Sequence, residues 1–540
     1  MDDYYRRAIA NVIRHGDTDI FPFPIENHLF FDKQPQTIDL LREIHKDFKG
    51  SLSKYPPAHE AALAPVNYSG FRWATQIDPL WNLYFLAIVL SISDEIETAR
   101  LLADENCVFS YRYKWDEASG DLFDQQYNWR GFMDRSLELA KSHKFVVACD
   151  ISEFYPRLGH HRLENALLQL SLKSDVPSRI MDFLANFSNT NSFGLPIGGP
   201  AARILSELVL NQIDRLLRTE GILFCRFADD FHIFSDSNEE AYAGLIFLSE
   251  KLLRNQGLQL QKSKTRITSG SEFIATSPIR IDEEGGRSAD PASTEKQERA
   301  RGLMQLSLRF DPYSPTKDTD YALLKAEIER FDILGLLRDE LSKSRVHISL
   351  ARKIVTAIKY LDAKARDDAI TTLIDNSELL YPIFSGVLTV AKGVFDELSQ
   401  HAQEYVHKTV IGLVEGGSHV LRVDLNLAFA IRLVSCRHSP EAEAALAKIY
   451  KRSASSALLR RDIILTMAKW KNWYWLSDLR ANFRTLSPIE RRAFIVASYA
   501  LRDEGKHWRQ YTSDEFTPME HLVQEWASEK ASQPQWSIPL

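Results

Sequence analysis

The fourteen residues ILFCRFADDFHIFS, positions 222 to 235, limit the fold of this 540-residue chain more than any other stretch. Ile222–Ala228 and Phe231–Ser235 are both β-prone, and only Asp229 and Asp230 separate them. Two such runs so close together read as a tight antiparallel hairpin with two carboxylates at its tip. Asp in a turn is ordinary. Two like charges among Phe227, Phe231, Ile233 and Phe234 mean more only if a further group joins them.

That group lies upstream. In FVVACDISEFYPRL the apolar run Phe145–Cys149 reads as a buried strand, and it ends in Asp150. A carboxylate at the end of a buried strand is costly unless it is paired or bound to a cation. Two-metal phosphoryl transfer needs acids from separate strands to hold two divalent ions about 3.5–4 Å apart. Asp150, Asp229 and Asp230 suit that need, with the backbone carbonyl of Ile151 completing one shell. Tyr155 follows five residues after Asp150, where an aromatic can lie beneath an incoming sugar and crowd a 2′-hydroxyl. A core aromatic is the plain alternative.

Between the acids lies NSFGLPIGGPAARILSELVLNQIDRLL. Gly194, Gly198 and Gly199 permit close backbone approach, and Pro200 suits a helix start. Leu205, Leu208, Val209, Ile213, Leu216 and Leu217 recur at helical spacing. A glycine-rich loop leading into a helix can cradle phosphates or a base pair. Downstream, GLQLQKSKTRI brings Lys262, Lys264 and Arg266, which read equally as a solvated basic edge or as the source of a lysine that can protonate departing pyrophosphate. Upstream, Arg112 and Lys114 alternate in FSYRYKWDEASGDLF; on a strand they would point one way and suit a triphosphate, with a solvated strand face as the alternative.

The pattern changes near residue 282. Before it, candidate strands (KFVVACDI, ILFCRFAD, FHIFS, SPIRI) alternate with helical patterns such as HRLENALLQLSL and EEAYAGLIFLSEKLLRNQG, an α+β character. DEEGGRSADPAST, 282 to 294, reads as a linker. Afterwards nearly everything reads as helix without a strict period, a pattern that fits a helical solenoid. Ser487-Pro488-Ile489-Glu490 predicts a capped helix start running to a stop at Gly505, and Ser439-Pro440-Glu441 opens another. The aromatic cluster WKNWYWLSDL, 470 to 479, reads first as packed core and second as a base-stacking platform.

Net charge is −7, with 30 Lys+Arg against 38 Asp+Glu up to residue 282, a net of −8. This argues against tight non-specific capture of long duplexes. The four cysteines lack zinc-ligand spacing and suit a reducing cytoplasm. The N-terminus has no secretory h-region, and LWNLYFLAIVLSIS, 80 to 93, is too short to span a bilayer and reads as a buried helix.

Taken in order, the motifs resemble those of reverse transcriptases over roughly residues 100 to 282. They run strand-Asp150, Tyr155, the Gly-Leu-Pro-Ile-Gly loop with its helix, the Asp229-Asp230 hairpin, and Gly-Leu-Gln-Leu with lysines. The resemblance implies a right-hand polymerase, an α+β fingers and palm with an antiparallel sheet and helices. It makes Asp150, Asp229 and Asp230 the metal ligands with Ile151, Tyr155 the sugar gate, Gly194, Pro196 and Gly198 the template–nucleotide loop, and Lys264 the late lysine. Two positions depart from the common pattern: Phe227 stands where Tyr is usual, and Ile197 where Gln is usual. With WRGFMDRSLELAKS before the first acid and an all-helical second half, the chain resembles bacterial abortive-infection and defence-associated reverse transcriptases. That resemblance implies an all-α, HEAT-like helical-repeat domain, giving regions 1–110 (N-terminal helices and fingers), 111–282 (fingers and palm), 283–294 (linker) and 295–540 (helical repeats). It also implies Mg²⁺ (Mn²⁺ as the alternative ion), dNTP substrates, and protein-primed DNA synthesis, template-independent in some members. The DNA product would then be attached to protein, in a cytoplasmic trimer or hexamer that touches no membrane and acts against phage. Two alternatives stay open: a retron- or intron-type enzyme copying a bound RNA, and a catalytically silent sensor or scaffold.

Overall fold

The computed structural model describes all residues except 19, 171–173, 188–190, 278–302, 304–323, 327 and 453–455. The expected strand SPIRI beyond its first residue, the 283–294 linker and the start of the 295–540 region therefore lie outside the described residues. The chain falls into two compact units. Residues 1–19, 33–59 and 75–285 form the first, and residues 20–32, 60–74 and 286–540 the second.

A two-stranded sheet pairs β1 (His59–Pro65) with β2 (Phe71–Ile77). The first unit is built on a four-stranded sheet of β3 (Phe145–Asp150), β4 (Leu223–Phe227), β5 (Asp230–Ser235) and β6 (Arg266–Ser269), in the order β4-β5-β3-β6. Each pairing in it is antiparallel. β3 lies between two partners, so its polar backbone is satisfied on both edges and its apolar residues face core on both sides. One face packs Val146, Ala148, Cys225 and Phe234 against Phe132 and Met133 of the helix Trp129–Ser142. Residues of the opposite parity meet the helix Asn238–Lys251, where a Cβ on Gly244 would come within 3.2 Å of Ile233. β6 was not foreseen. Its Arg-Ile-Thr-Ser sequence has only a brief β-branched signal, and its place comes from pairing with β3, Ala148 opposite Arg266.

The long helix Pro200–Thr219 starts at the expected proline and buries Leu205, Leu208, Val209, Ile213 and Leu217. The apolar stretch at 80 to 93 forms the helix Pro79–Leu90, with every residue buried. Among the described residues no single helix is long and apolar enough to cross a membrane.

The second unit is helical over its described C-terminal residues. Ile348–Ala357, Phe384–Gly393, Asp424–Val434, Ala457–Lys469, Pro488–Ala497 and Pro518–Ala531 each pack on the next of that series. Ile333–Leu341, Ala363–Asp375, Gln400–Glu415 and Pro440–Tyr450 make a second series in the same way. Ser487 and Glu490 form the expected capping box, and Ser439 caps Pro440–Tyr450. Gly505 is not a stop. The helix ends at Ala497, a 3₁₀ turn follows, and Gly505 lies inside the next helix, Arg502–Thr512. A Cβ there would fall 2.0 Å from the carbonyl oxygen of Ser498, so the glycine serves a close approach instead of a termination. The aromatic cluster divides: Trp470 donates to Ser435 O and Trp475 meets Tyr450 edge-on, while Trp473 and Tyr474 are exposed and stack on each other.

Candidate active site

Strand register brings the acids together. Asp150, the last residue of β3, stands directly opposite Asp230, the first of β5. Ala228 and Asp229 form the two-residue turn, and Ala228 adopts φ 51°, a strained value for a residue with a Cβ. The amide of Ile151 then donates to Asp229 O at 3.1 Å, tying the turn to the end of β3. One carboxylate oxygen each from Asp150, Asp229 and Asp230 lies within 4.8 Å of the others. The expected gathering of three acids from distant positions is therefore met in the fold.

Electrostatics mark this cluster as frustrated. Burial, and then the charge of Asp150, pushes the Asp229 carboxyl up to about 6. Burial, then the charges of Asp229 and Asp150, pushes Asp230 up to about 7. Lys264 lies on a segment held against β3, with Ser152 N on Gln259 O and Gln261 N on Asp150 O. Its ammonium donates to Asp150 Oδ2 at 3.0 Å. Burial works to lower the Lys264 pKa, but Asp150, with Asp230 and Asp229 behind it, raises it overall. Three carboxylates converging on one point, with a mostly exposed lysine and the more remote Arg226 as counter-charges, form a hard-oxygen donor set that fits Mg²⁺ or Mn²⁺.

Tyr155 sits in the short helix Phe154–Arg157, entered through Glu153 at φ 49°. Its hydroxyl is buried beside Ser206 and Tyr111 without a well-formed hydrogen bond, and burial drives its pKa upward. Asp229 and Arg203 both act on it. The glycine loop is fixed to this helix: Leu195 N donates to Tyr155 O, Gly194 N to Leu158 O, and the Gly194 carbonyl meets His160 Nε2 at 2.8 Å. Gly194 at φ 104° and Gly198 at φ 123° need glycine, Pro196 is buried, and Thr75 N donates to Ile197 O.

Arg112 and Lys114 depart from expectation. They do not share a strand face, because Tyr113 between them makes only an isolated bridge to Phe123. Arg112 is buried with its guanidinium on Glu97 at 2.7 Å, and Lys114 is exposed and bonded to Asp124 at 3.0 Å. The turn Asp116–Gly120 breaks the strand pattern, and nearby acids hold both cations.

Two arginines escaped the sequence reading. Arg203, in the first turn of the long helix, lies over the Tyr111 ring at 5.3 Å. Arg226, on β4, is wholly buried and bidentate to Asp214 (2.7 and 2.6 Å) and to Glu207 (3.1 and 2.8 Å). It also donates to Ala228 O at 2.9 Å, so the strained turn that carries Asp229 is clamped to the long helix. Glu207 in turn holds Arg100 and the Ser110 hydroxyl. An arginine in an apolar strand directly before the paired acids was the available signal.

Residues 108–310 match the family described as reverse transcriptase (RNA-dependent DNA polymerase). The chain thus carries the domain of an RNA-directed DNA polymerase, a nucleotidyltransferase. No curated protein matches. Among solved structures, one of telomerase from Candida albicans in complex with a fragment of telomeric RNA is similar at 11% identity, over 71% of this chain and 70% of that one, with a TM-score of 0.30. A structure of apo telomerase from Candida tropicalis is similar at 12% identity, over 73% and 72%, with a TM-score of 0.30.

Proposed function

We propose that the chain is a Mg²⁺-dependent, reverse-transcriptase-like DNA polymerase that serves antiviral defence and primes synthesis on protein. The observation that carries the catalytic part is the convergence of Asp150, Asp229 and Asp230 across the β3–β5 pairing. When bound, the ions supply activation of the attacking hydroxyl oxygen and charge stabilisation on the leaving pyrophosphate. Asp150, Asp229 and Asp230 hold them, with Ile151 adjoining. In the reaction a 3′-hydroxyl oxygen, or a protein hydroxyl in the first round, gives its proton to water and bonds to the α-phosphorus of a dNTP as the bond to pyrophosphate breaks. Lys264, charged at neutral pH and anchored on Asp150, gives its proton to the departing pyrophosphate. Tyr155 and the Gly194–Gly198 loop, bonded to each other, form the floor for the sugar and its base pair.

The defence reading is supported by the motif order, by Ile197 at the loop position where a polar contact to template is usual, and by the all-helical C-terminal region. In this reading that region is a HEAT-like repeat, and the enzyme works in the cytoplasm as a trimer or hexamer.

The test is the purified full chain with labelled dNTPs and Mg²⁺, with and without RNA template and primer. Label that grows without nucleic acid and stays with protein through phenol extraction supports the proposal. Growth only on primed RNA favours the retron- or intron-type reading instead. No incorporation in any arm, with phage protection unchanged by Asp229→Ala, would sink the enzymatic proposal.

A further inference from the structure

The first unit contains a cleft of about 690 Å³ that the chemistry above does not use. It lies between the helix His160–Gln169 and the C-terminal half of the long helix, with Gln256 also in its lining. Its volume falls within the range of small-molecule sites. Arg203, the long-helix residue near Tyr155, and Arg215, which lines the cleft, are twelve positions apart, about 18 Å along a helix. The cleft is thus separate from the acidic cluster.

Three features of its lining point to one class of ligand. First, in a chain of net charge −7 no aspartate or glutamate lines it among the described residues, while Arg162 and Arg215 do. Neither arginine forms an ion pair among the described residues. Arg162 donates to Arg254 O (3.4 Å) and Arg215 to Ala99 O (2.6 Å), which leaves most of the five donors of each guanidinium for an anion.

Second, the wall is rich in carboxamides, and two of them are incompletely satisfied. Asn211 and Gln256 are 9% and 6% exposed. Their amide nitrogens donate to Ala99 O and Val209 O, which sets which end of each amide is oxygen. The oxygens, Asn211 Oδ1 and Gln256 Oε1, have no hydrogen-bond partner. A buried acceptor left unpaired is costly, so it favours a ligand that carries N–H groups. Third, Leu208, Leu216 and Leu170 supply an apolar wall for a flat ring. Gln256 also ends a five-residue π-helical stretch, Leu252–Gln256, a distortion that recurs at functional sites.

We infer that this cleft is a binding site for a nucleoside phosphate, its phosphate on Arg162 and Arg215 and its base donors toward Asn211 and Gln256. The inference stands apart from the polymerase proposal, since none of these residues belongs to the acidic cluster.

The experiment is a titration of the full-length protein with a fluorescent, ribose-labelled adenosine triphosphate in EDTA, which removes metal-dependent binding at the carboxylates. Saturable binding is expected. It should persist in Asp230→Asn and weaken about tenfold or more in Arg162→Ala/Arg215→Ala, as for loss of charge-assisted hydrogen bonds. Gln212→Glu, an exposed change on the same wall whose side-chain oxygen still accepts from Gln256 Nε2, should weaken it in the same direction. Competition separates two sources of the ligand. Displacement by unlabelled nucleotide alone assigns a free nucleotide, and displacement by a short 5′-phosphorylated single strand alone assigns the terminal nucleotide of a nucleic acid. The inference is overturned if no saturable binding appears below about 1 mM. Binding equal to wild type in both the arginine and the Gln212 variants overturns it too, as does inorganic phosphate competing as well as the nucleotide.

Discussion

Replacing Asp230 by Asn should make the metal-free protein more stable at pH 8 while destroying polymerisation. An aspartate in the unfolded chain titrates near 4, whereas burial and its two acidic neighbours raise Asp230 to about 7 in the fold. Between those pH values the native state keeps a proton that the unfolded state has released. Native stability therefore falls as pH rises from about 4 to about 7, and the whole penalty is present above that. A shift of about three units corresponds to about 4 kcal/mol. Asp230 is only partly buried and shares its titration with Asp229, so about 2–4 kcal/mol is the expected gain on removing the charge. For a cooperative unit of this size that is a rise in Tm of about 5–10 °C. Asn keeps the shape, and the β3–β5 backbone pairing at this position is unaffected. The assay is scanning calorimetry of wild type and variant in EDTA from pH 4.5 to 8.5, repeated with Mg²⁺. The difference should shrink to about a quarter of its full value by pH 4.5. Mg²⁺ should raise the wild-type Tm and leave that of the variant nearly unchanged. A variant less stable than wild type at pH 8, or a stability gain independent of pH, would refute the idea that three unneutralised carboxylates share this pocket.

Arg226→Met should cost about 3–5 kcal/mol, because it leaves Glu207 and Asp214 buried and unpaired; chemical denaturation measures it. Arg226→Lys keeps the charge but loses the bidentate geometry and the hold on Ala228 O, so folded protein with a lower kcat is expected in a steady-state assay. Lys264→Ala removes a mostly exposed side chain, so Tm should move little, while kcat falls about 10²-fold or more and the alkaline limb of the pH–rate profile is lost. Gly505→Ala should destabilise by about 1–3 kcal/mol, since its Cβ would fall 2.0 Å from Ser498 O, whereas Gly386→Ala, with nothing within 4 Å, should be neutral or slightly stabilising on thermal denaturation.

Local alternation and turn chemistry carried the acidic site. The apolar run before Asp150 and the two β-prone runs around Asp229-Asp230 can bury themselves only as neighbouring strands, and a tight turn leaves the acids at one end of the sheet. The capping box at Ser487, the helix start at Pro200 and the buried helix Pro79–Leu90 were legible for the same reason: each depends on residues within a turn or two. Gly505 misled because a glycine that ends a helix and one that admits a neighbouring carbonyl look alike in sequence. Arg112 and Lys114 misled because their spacing says nothing of Glu97 and Asp124, which hold them.

What the linear chain determined by itself was the identity of the three carboxylates, the loop glycines and the passage from mixed to helical structure. Only the tertiary structure decided that Arg226 spans Glu207, Asp214 and the strained turn, that β6 flanks β3, and that two arginines and unpaired amides line a cleft without acids. Periodicity records what a residue needs from its own element. Ion pairs and clefts depend on which distant elements meet, and that is settled when the whole core packs.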